Sequence, residues 1–257
     1  MMDYAKAHYF DGIKGDNADA DSITTNLHAF QEMYLDIERN QLIAVCDGYV
    51  GGKWNDDDYG YGQRANTTAV TYDISDRENP KEVGRVSQSG YYNSSRIADG
   101  YLYLFSDYYV TLDGITAKNP KSYIPLVNDN LIKETDICLP SISKADMYSI
   151  ITSVSLENPN ETAHSKAFLA DGGNLYVSND NIYFYENVWQ YSGKDVTTIR
   201  KVSYESGKLT AGAQCKIDGY INDSFSIDEY DGYLRVVVTD GDTNSVYVLN
   251  QELKETG

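Results

Sequence analysis

Cationic side chains are scarce in this sequence. Lys and Arg total 21 against 39 Asp and Glu, so the 257 residues carry a formal net charge of −18. A surface this acidic repels polyphosphate, which argues against a nucleic-acid partner. Long apolar runs are also missing. A membrane-spanning helix needs about 20 consecutive apolar residues, and no stretch of the sequence comes near that length. The N-terminus lacks the basic start and apolar middle of a signal peptide.

Cysteine and histidine number only three each, which limits the chemistry that they can support. Cys46, Cys138 and Cys215 show no Cys-x-x-Cys spacing and are odd in number, so they predict neither a zinc site nor a full disulfide framework, and we interpret them as buried thiols. The histidines are scattered, and no Gly-x-Ser-x-Gly, His-Glu-x-x-His or phosphate-loop motif accompanies them. The sequence therefore indicates no catalytic residue.

Tyrosine is the residue type in excess. There are 24 Tyr beside 6 Phe and 2 Trp. A large ring with one polar end suits half-buried positions of β-sheets, so this composition favours β structure.

A turn-bearing pattern recurs four times along the chain. The quartet Asp-Gly-Tyr-Leu begins at Asp99 and again at Asp231, each time ahead of an apolar run, and weaker copies centre on Asn40 and Asp171. Asp-Gly between two apolar runs is a strong hairpin signal, because both residues tolerate positive φ. The return strands "YLYLF" and "LRVVV" do not alternate cleanly, which predicts that both faces of each sheet are covered.

Each hairpin is followed by one or two further strand-like runs, giving units of about four strands in roughly 60 residues. Antiparallel units of this size, repeated around a ring, are the blades of a β-propeller, whereas a β-sandwich or jelly roll does not predict the recurring hairpin. We therefore predict an all-β protein, a partial propeller of four-stranded antiparallel blades with about four blades present. The predicted bounds are an irregular or blade-closing segment at 1–26 and a propeller domain at 27–257, with blades at 27–88, 89–163, 164–217 and 218–257.

Two irregularities interrupt the repeat. An insertion over about 106–147 is expected to cross one face of the propeller. The last unit stops after its third strand, so we expect either an N-terminal segment to complete it or the chain to be a fragment, and the total number of blades stays open.

The run "VTYDISDRENPKEVGRVSQSGYYNSSRIADGYLYLFSDYYV" (70–110), with "SKAFLADGGNLYVSNDNIYFYE" and "FSIDEYDGYLRVVVTD", resembles a bacterial and archaeal family of secreted proteins with a C-terminal β-propeller distantly related to WD-repeats. The resemblance extends from about Gln31 onward. It implies a propeller displayed outside the cell, with no catalytic motif to carry over. Members of that family have an N-terminal export or anchoring segment and further blades, which this sequence does not show.

Aromatic residues in predicted loops are the candidate ligand contacts, because such rings lose little entropy on binding. The alternative is that most of them pack between blades. The candidates are Trp54, Tyr59, Tyr61, Tyr91, Tyr92, Trp189 and Tyr191.

Metal binding has weaker support. Asp19 and Asp21 alternate as the first ligands of a calcium loop would, but Ser22 stands where such a loop needs Gly. Consecutive acids at Asp56, Asp57 and Asp58 supply oxygen ligands but are also typical of a solvated loop. The expectation is no cofactor, with calcium as the alternative.

The sequence thus predicts a non-enzymatic, extracellular binding or scaffolding module at a bacterial cell surface, with a protein, peptide or cell-wall glycan as partner. The alternative from another class is an enzyme acting on glycans or other envelope polymers, with acidic residues at the propeller channel. A third hypothesis is a structural cap on a larger chain.

Overall fold

The computed structural model describes residues 25–50, 64–110, 118–139, 145–170, 173–189 and 193–256. Eighteen β-strands and three single-turn 3-10 helices account for the regular structure of these residues, which confirms the predicted all-β class. The strands form four sheets in chain order, and within each sheet the main strands are antiparallel neighbours.

Sheet 1 contains four main strands: β1 Thr25–Asp36, β2 Gln41–Val50, β3 Arg64–Asp73 and β4 Lys81–Ser89. Sheet 2 contains β5 Tyr91–Ala98, β6 Tyr101–Tyr109, β10 Met147–Ser155 and β11 Thr162–Ala170. Sheet 3 contains β12 Asn174–Val177, β13 Asn181–Val188, β14 Val196–Glu205 and β15 Lys208–Asp218. Sheet 4 contains β16 Ile227–Tyr230, β17 Tyr233–Asp240 and β18 Thr243–Leu249. Each sheet has the up-and-down order expected of a propeller blade.

The described part of the insertion lies along the outer edges of sheets 1 and 2. Its short strands are β7 Leu126–Val127, β8 Asn130–Leu131 and β9 Ile137–Cys138, and the 3-10 turns are Pro120–Ser122 and Glu134–Asp136, with a third at Ser224–Ser226 before sheet 4. β7 pairs with β4, and β9 pairs with β11. These short pairings cover part of each edge and reduce the open hydrogen-bonding groups that would otherwise promote aggregation.

Three apolar layers join the four sheets in a row. Val45 and Val86 of sheet 1 pack with Leu104 and Ile150 of sheet 2. The remaining two layers lie between sheets 2 and 3 and between sheets 3 and 4. β6 shows why its sequence does not alternate: Leu102 and Leu104 belong to the first layer, whereas Tyr103 and Phe105 belong to the second.

Sheet 4 differs from the other sheets in its burial. In β17, Leu234, Val236 and Val238 are buried, whereas Tyr233 and Val237 are 44% exposed. Described residues cover only one face of this sheet, so coverage of the second face of "LRVVV" stays a prediction.

The Asp-Gly turns are confirmed as two-residue hairpins. Asp99 and Gly100 have φ of 51° and 77°, and Asp231 and Gly232 have 49° and 77°. The third repeat was misaligned, however. β11 and β12, which flank Asp171, pair with different strands, so no hairpin joins them, and the first hairpin of sheet 3 turns at 178–181.

β11 also pairs with β10 and so lies in sheet 2, although the predicted blade boundary falls at 163. Beyond β18, Glu255 bridges Leu249. The wider division into domains, the total number of blades and the closure of the ring stay predictions.

All three cysteines are free thiols, Cys46 buried and the other two half-buried. Burial raises the pKa of both Cys46 and Cys215 to about 11. His164 is hydrogen-bonded, because its Nδ1 accepts the backbone N–H of Leu209 at 3.0 Å and its Nε2 lies 3.2 Å from Asp136.

Candidate binding groove between sheets 2 and 3

Two side chains of sheet 1, Asp47 and Thr67, form hydrogen bonds to the start of sheet 2, and we call this pair the clip. Asp47 on β2 lies opposite Thr67 on β3. Asp47 Oδ1 accepts the backbone N–H of Tyr92 at 2.7 Å, and the Thr67 hydroxyl lies 2.9 Å from the carbonyl oxygen of Gly90. Both acceptor and donor therefore reach the first residues of the next sheet.

The same clip fastens sheet 3 to sheet 4. Asn187 and Thr197 are paired across β13 and β14, just as Asp47 and Thr67 are across β2 and β3. Asn187 Oδ1 accepts the backbone N–H of Ile221 at 3.1 Å, and the Thr197 hydroxyl donates to the carbonyl oxygen of Gly219 at 2.7 Å. The clip is thus a feature of the repeat.

Between residues that the structure describes, the equivalent pair in sheet 2 makes no such connection. Asp107 and Ser149 face each other across β6 and β10. The carboxylate of Asp107 accepts from Ser149 Oγ at 2.9 Å and from Asn93 Nδ2 at 2.6 Å, and both donors belong to sheet 2. Among the residues that the structure describes, no group of sheet 3 donates to Asp107.

A groove of about 440 Å³ occupies this unclipped junction. One wall is Asn93 and Ser94 of β5, the other is the chain from Gly173 to Val177, and Ser224 lies at the sheet 4 side. The absence of a side chain at Gly173 lets the two walls approach, since a Cβ there would come within 2.9 Å of Ser149 Oγ. The lining is polar, with amide and hydroxyl side chains and backbone groups.

Asp107 lies next to this groove, because its carboxylate accepts a hydrogen bond from Asn93 of the groove wall. Burial raises the pKa of its carboxyl above 3.8, against the opposing effect of the hydrogen bonds from Asn93 and Ser149. A half-buried acid with a raised pKa beside a groove is typical of functional sites.

Some predicted aromatic contacts lie at the same end of the sheets. Tyr91, two residues before Asn93, is 46% exposed and meets the ring of Tyr49 edge-on at 6.3 Å. Trp189 follows β13 directly, is 67% exposed and lies 4.8 Å from the ring of Tyr220. One ring pair lies at the junction of sheets 1 and 2 and the other between sheet 3 and the chain that leads into sheet 4. Contact of these rings with a ligand stays a prediction.

Tyr92 has a different environment. Its ring is half-buried, and its hydroxyl donates to Glu32 of β1. Burial acts to raise the pKa of Glu32, but hydrogen bonds from Tyr92, Ser95 and Tyr34 outweigh it and hold the pKa below 4.5. Tyr92 therefore joins sheets 1 and 2.

The other predicted site residues lie outside the described residues. They are Asp19, Asp21, Trp54, Asp56, Asp57, Asp58, Tyr59, Tyr61 and Tyr191. Within the described ranges, no group of three His, Cys, Asp or Glu side chains is placed to hold a metal ion. No helix in this part of the chain is long and apolar enough to cross a bilayer.

Sequence reasoning missed the residues of the groove, although a signal existed. Asp47, Asp107 and Asn187 each follow the first turn of their sheet by seven or eight residues and each face Thr or Ser on the next strand. The misaligned third turn hid this spacing.

Comparison with known proteins agrees with the repeated sheets. The model of a β-propeller domain matches residues 10–257. An uncharacterized protein of Methanocaldococcus jannaschii is 33% identical over 88 residues, and one of Archaeoglobus fulgidus is 33% identical over 95 residues. These matches cover 32% and 36% of this chain but only 13% and 15% of the relatives. The chain belongs to the β-propeller domain family.

Proposed function

We propose that this protein is a non-enzymatic, extracellular binding module and that its ligand occupies the groove between sheets 2 and 3. A propeller domain fits a binding or scaffolding role, because rigid sheets hold loops and junctions in fixed positions.

One observation carries the choice of site. The clip joins the sheets at two of the three junctions, and the groove lies at the junction where the described residues do not make the clip. A departure from an otherwise repeated structural rule is where function is expected to lie.

Carboxylates near the inner strands support a binding role over catalysis. Glu32 accepts from Tyr92 and Ser95, and Glu229 of β16 accepts from Ser178 and Asn181. Such acids are occupied in holding the sheets together. The extracellular location is supported by the family resemblance in the sequence, and protease added to intact cells of the native host should degrade the protein.

Blocking the groove tests the proposal. Ser94→Trp places a large side chain in the groove, because Ser94 lies opposite Phe105, which faces sheet 3. The matched control is Glu157→Trp, in a cleft of about 430 Å³ at the opposite end of sheets 1 and 2. Both variants and the wild type are probed with a displayed library of random peptides and an array of soluble oligosaccharides.

We expect ligands selected on the wild type to lose affinity for Ser94→Trp by about tenfold or more while binding Glu157→Trp normally. Mass spectrometry of each ligand after incubation should find it intact. Equal binding to both variants would reject the groove as the site, and a chemically altered ligand would reject the non-enzymatic role.

A further inference from the structure

We propose that the ligand of the groove is an extended peptide segment that adds to sheet 3 as an extra strand beside β12. This inference rests on the proposed function, since it assumes that the groove is a binding site. It commits to main-chain recognition of a peptide.

The orientation of β12 follows from its hairpin. The backbone N–H of Ser178 donates to the carbonyl oxygen of Asn181 at 2.9 Å, so this pair is hydrogen-bonded. Hydrogen-bonded and non-bonded pairs alternate along an antiparallel ladder. Leu175, paired with Phe184, is therefore in a non-bonded position, and its N–H and C=O point away from β13.

A contact across the junction gives the same orientation. Arg96 of β5 reaches the carbonyl oxygen of Val177 through Nη1 at 3.4 Å, which requires that carbonyl to point away from β13. Residues two apart share a direction along a strand. The main-chain groups of Leu175 therefore point toward the groove, and those of Gly173 would continue the row.

The clip shows what these groups lack. Gly173 precedes Asn174, which pairs with Tyr185, so it corresponds in register to Tyr92 and Ile221, whose N–H groups are held by Asp47 and Asn187. In the described part of the chain no side chain accepts the N–H of Gly173 or Leu175. β12 also has β13 as its only strand partner there. At Gly173 and Leu175, the wall of the groove is thus a strand edge whose donors and acceptors have no partner among the described residues, whereas the Val177 carbonyl is taken by Arg96.

An extended peptide complements this wall. Its N–H and C=O groups recur every two residues, at the spacing of the groups on Gly173 and Leu175. The opposite wall supplies Asn93 and Ser94 for its side chains. Asp107 and the net charge of −18 disfavour an acidic sequence, so a neutral or basic peptide is expected.

Removing one donor tests strand addition. Leu175→Pro deletes the N–H that points into the groove, and β12 keeps its ladder because that N–H is not used by β13. Leu175→Ala is the control that loses the side chain and keeps the donor. The probe is the tightest peptide selected on the wild type, with affinity measured by fluorescence polarisation and fold checked by circular dichroism.

We expect Leu175→Pro to lower the affinity for the peptide about tenfold, which corresponds to the loss of one buried hydrogen bond. The affinity of Leu175→Ala should stay within about threefold of the wild type. In the wild type, the bound peptide should slow hydrogen exchange of the Leu175 amide, a readout that holds even if Leu175→Pro does not fold. Equal affinity for the Pro and Ala variants, or unchanged exchange, would overturn strand addition. Oligosaccharide binding that Ser94→Trp abolishes, with no peptide selected, would leave the groove as the site and reject the peptide.

Discussion

Gly100 forms the second half of a turn in which both residues have positive φ. A Cβ at this position would meet nothing within 4 Å, so the only obstacle to a side chain is the backbone conformation. Left-handed backbone costs an L-residue about 1–2 kcal/mol, and more for a β-branched one.

Gly100→Val should therefore lower the free energy of unfolding by about 1–3 kcal/mol in chemical denaturation, whereas Gly100→Asn should cost less because Asn tolerates this region. Ligand affinity should not change. Equal stability of the Val and Asn variants would show that φ is not the cause.

Asp107 predicts a specific pH dependence. Its pKa is raised in the folded protein, so folding favours the protonated carboxyl. The resulting stabilisation is fully present below about pH 3.8, the ordinary pKa of Asp, and is lost as pH rises through the raised pKa. Asp107→Asn removes the titration and keeps an acceptor for Ser149.

Unfolding free energies of wild type and Asp107→Asn, measured from about pH 4 to about pH 7, should therefore diverge, with the wild type losing stability relative to the variant as pH rises. If the unfolding free energy of the wild type instead increases relative to that of the variant as pH rises, the carboxylate is stabilised in the folded state and the pKa of Asp107 is lowered.

At the scale of elements, most of the strand order was predictable and the third hairpin was not. The patterns around Asp99 and Asp231 combine an Asp-Gly turn with flanking apolar strands, and both were located correctly. Sheet 3 turns instead at "SNDN", where the Ser178 hydroxyl accepts N–H groups from Asp180 and Asn181. The Ser178 side chain stabilises this turn, which contains no glycine. The sequence pattern therefore placed the third hairpin at the Asp-Gly of 171–172, which lies in the connection between sheets 2 and 3.

The clip itself could not be predicted from one sequence, because it joins residues across a junction whose register depends on the correct turns. Its energetic role is testable. Thr67 and Thr197 are fully buried, and each hydroxyl contacts both its cross-strand partner and the next sheet.

Thr67→Val and Thr197→Val keep the shape of the side chain but leave buried acceptors without a donor, so each should cost about 1–3 kcal/mol of unfolding free energy. Thr210→Val, at an exposed position of β15, is the matched control and should stay within about 0.5 kcal/mol of the wild type. If Thr67→Val and Thr197→Val are as stable as the control, the clip does not stabilise the junctions between sheets.

At the scale of the whole molecule, apolar side chains are exposed on the described parts of sheets 1 and 4, the two sheets at the ends of the row. Met33 and Leu35 of sheet 1 are 49% and 58% exposed, and Val237 and Val246 of sheet 4 are 44% and 62% exposed. Tyrosine-rich composition predicted half-buried positions, and many of the rings serve the junctions. The proposed binding site was less accessible from the sequence than the fold, because it depends on a repeated contact that the described residues of one junction do not make.

Among the described residues, the junction between sheets 2 and 3 lacks the clip that the other two junctions have. Residue-resolved amide hydrogen exchange by NMR on the unliganded protein tests this directly, since hydrogen-bonded amides exchange slowly. We expect slow exchange at Tyr92 and Ile221 and fast exchange at Gly173 and Leu175. Protection of Gly173 and Leu175 equal to that of Tyr92 and Ile221 would contradict it.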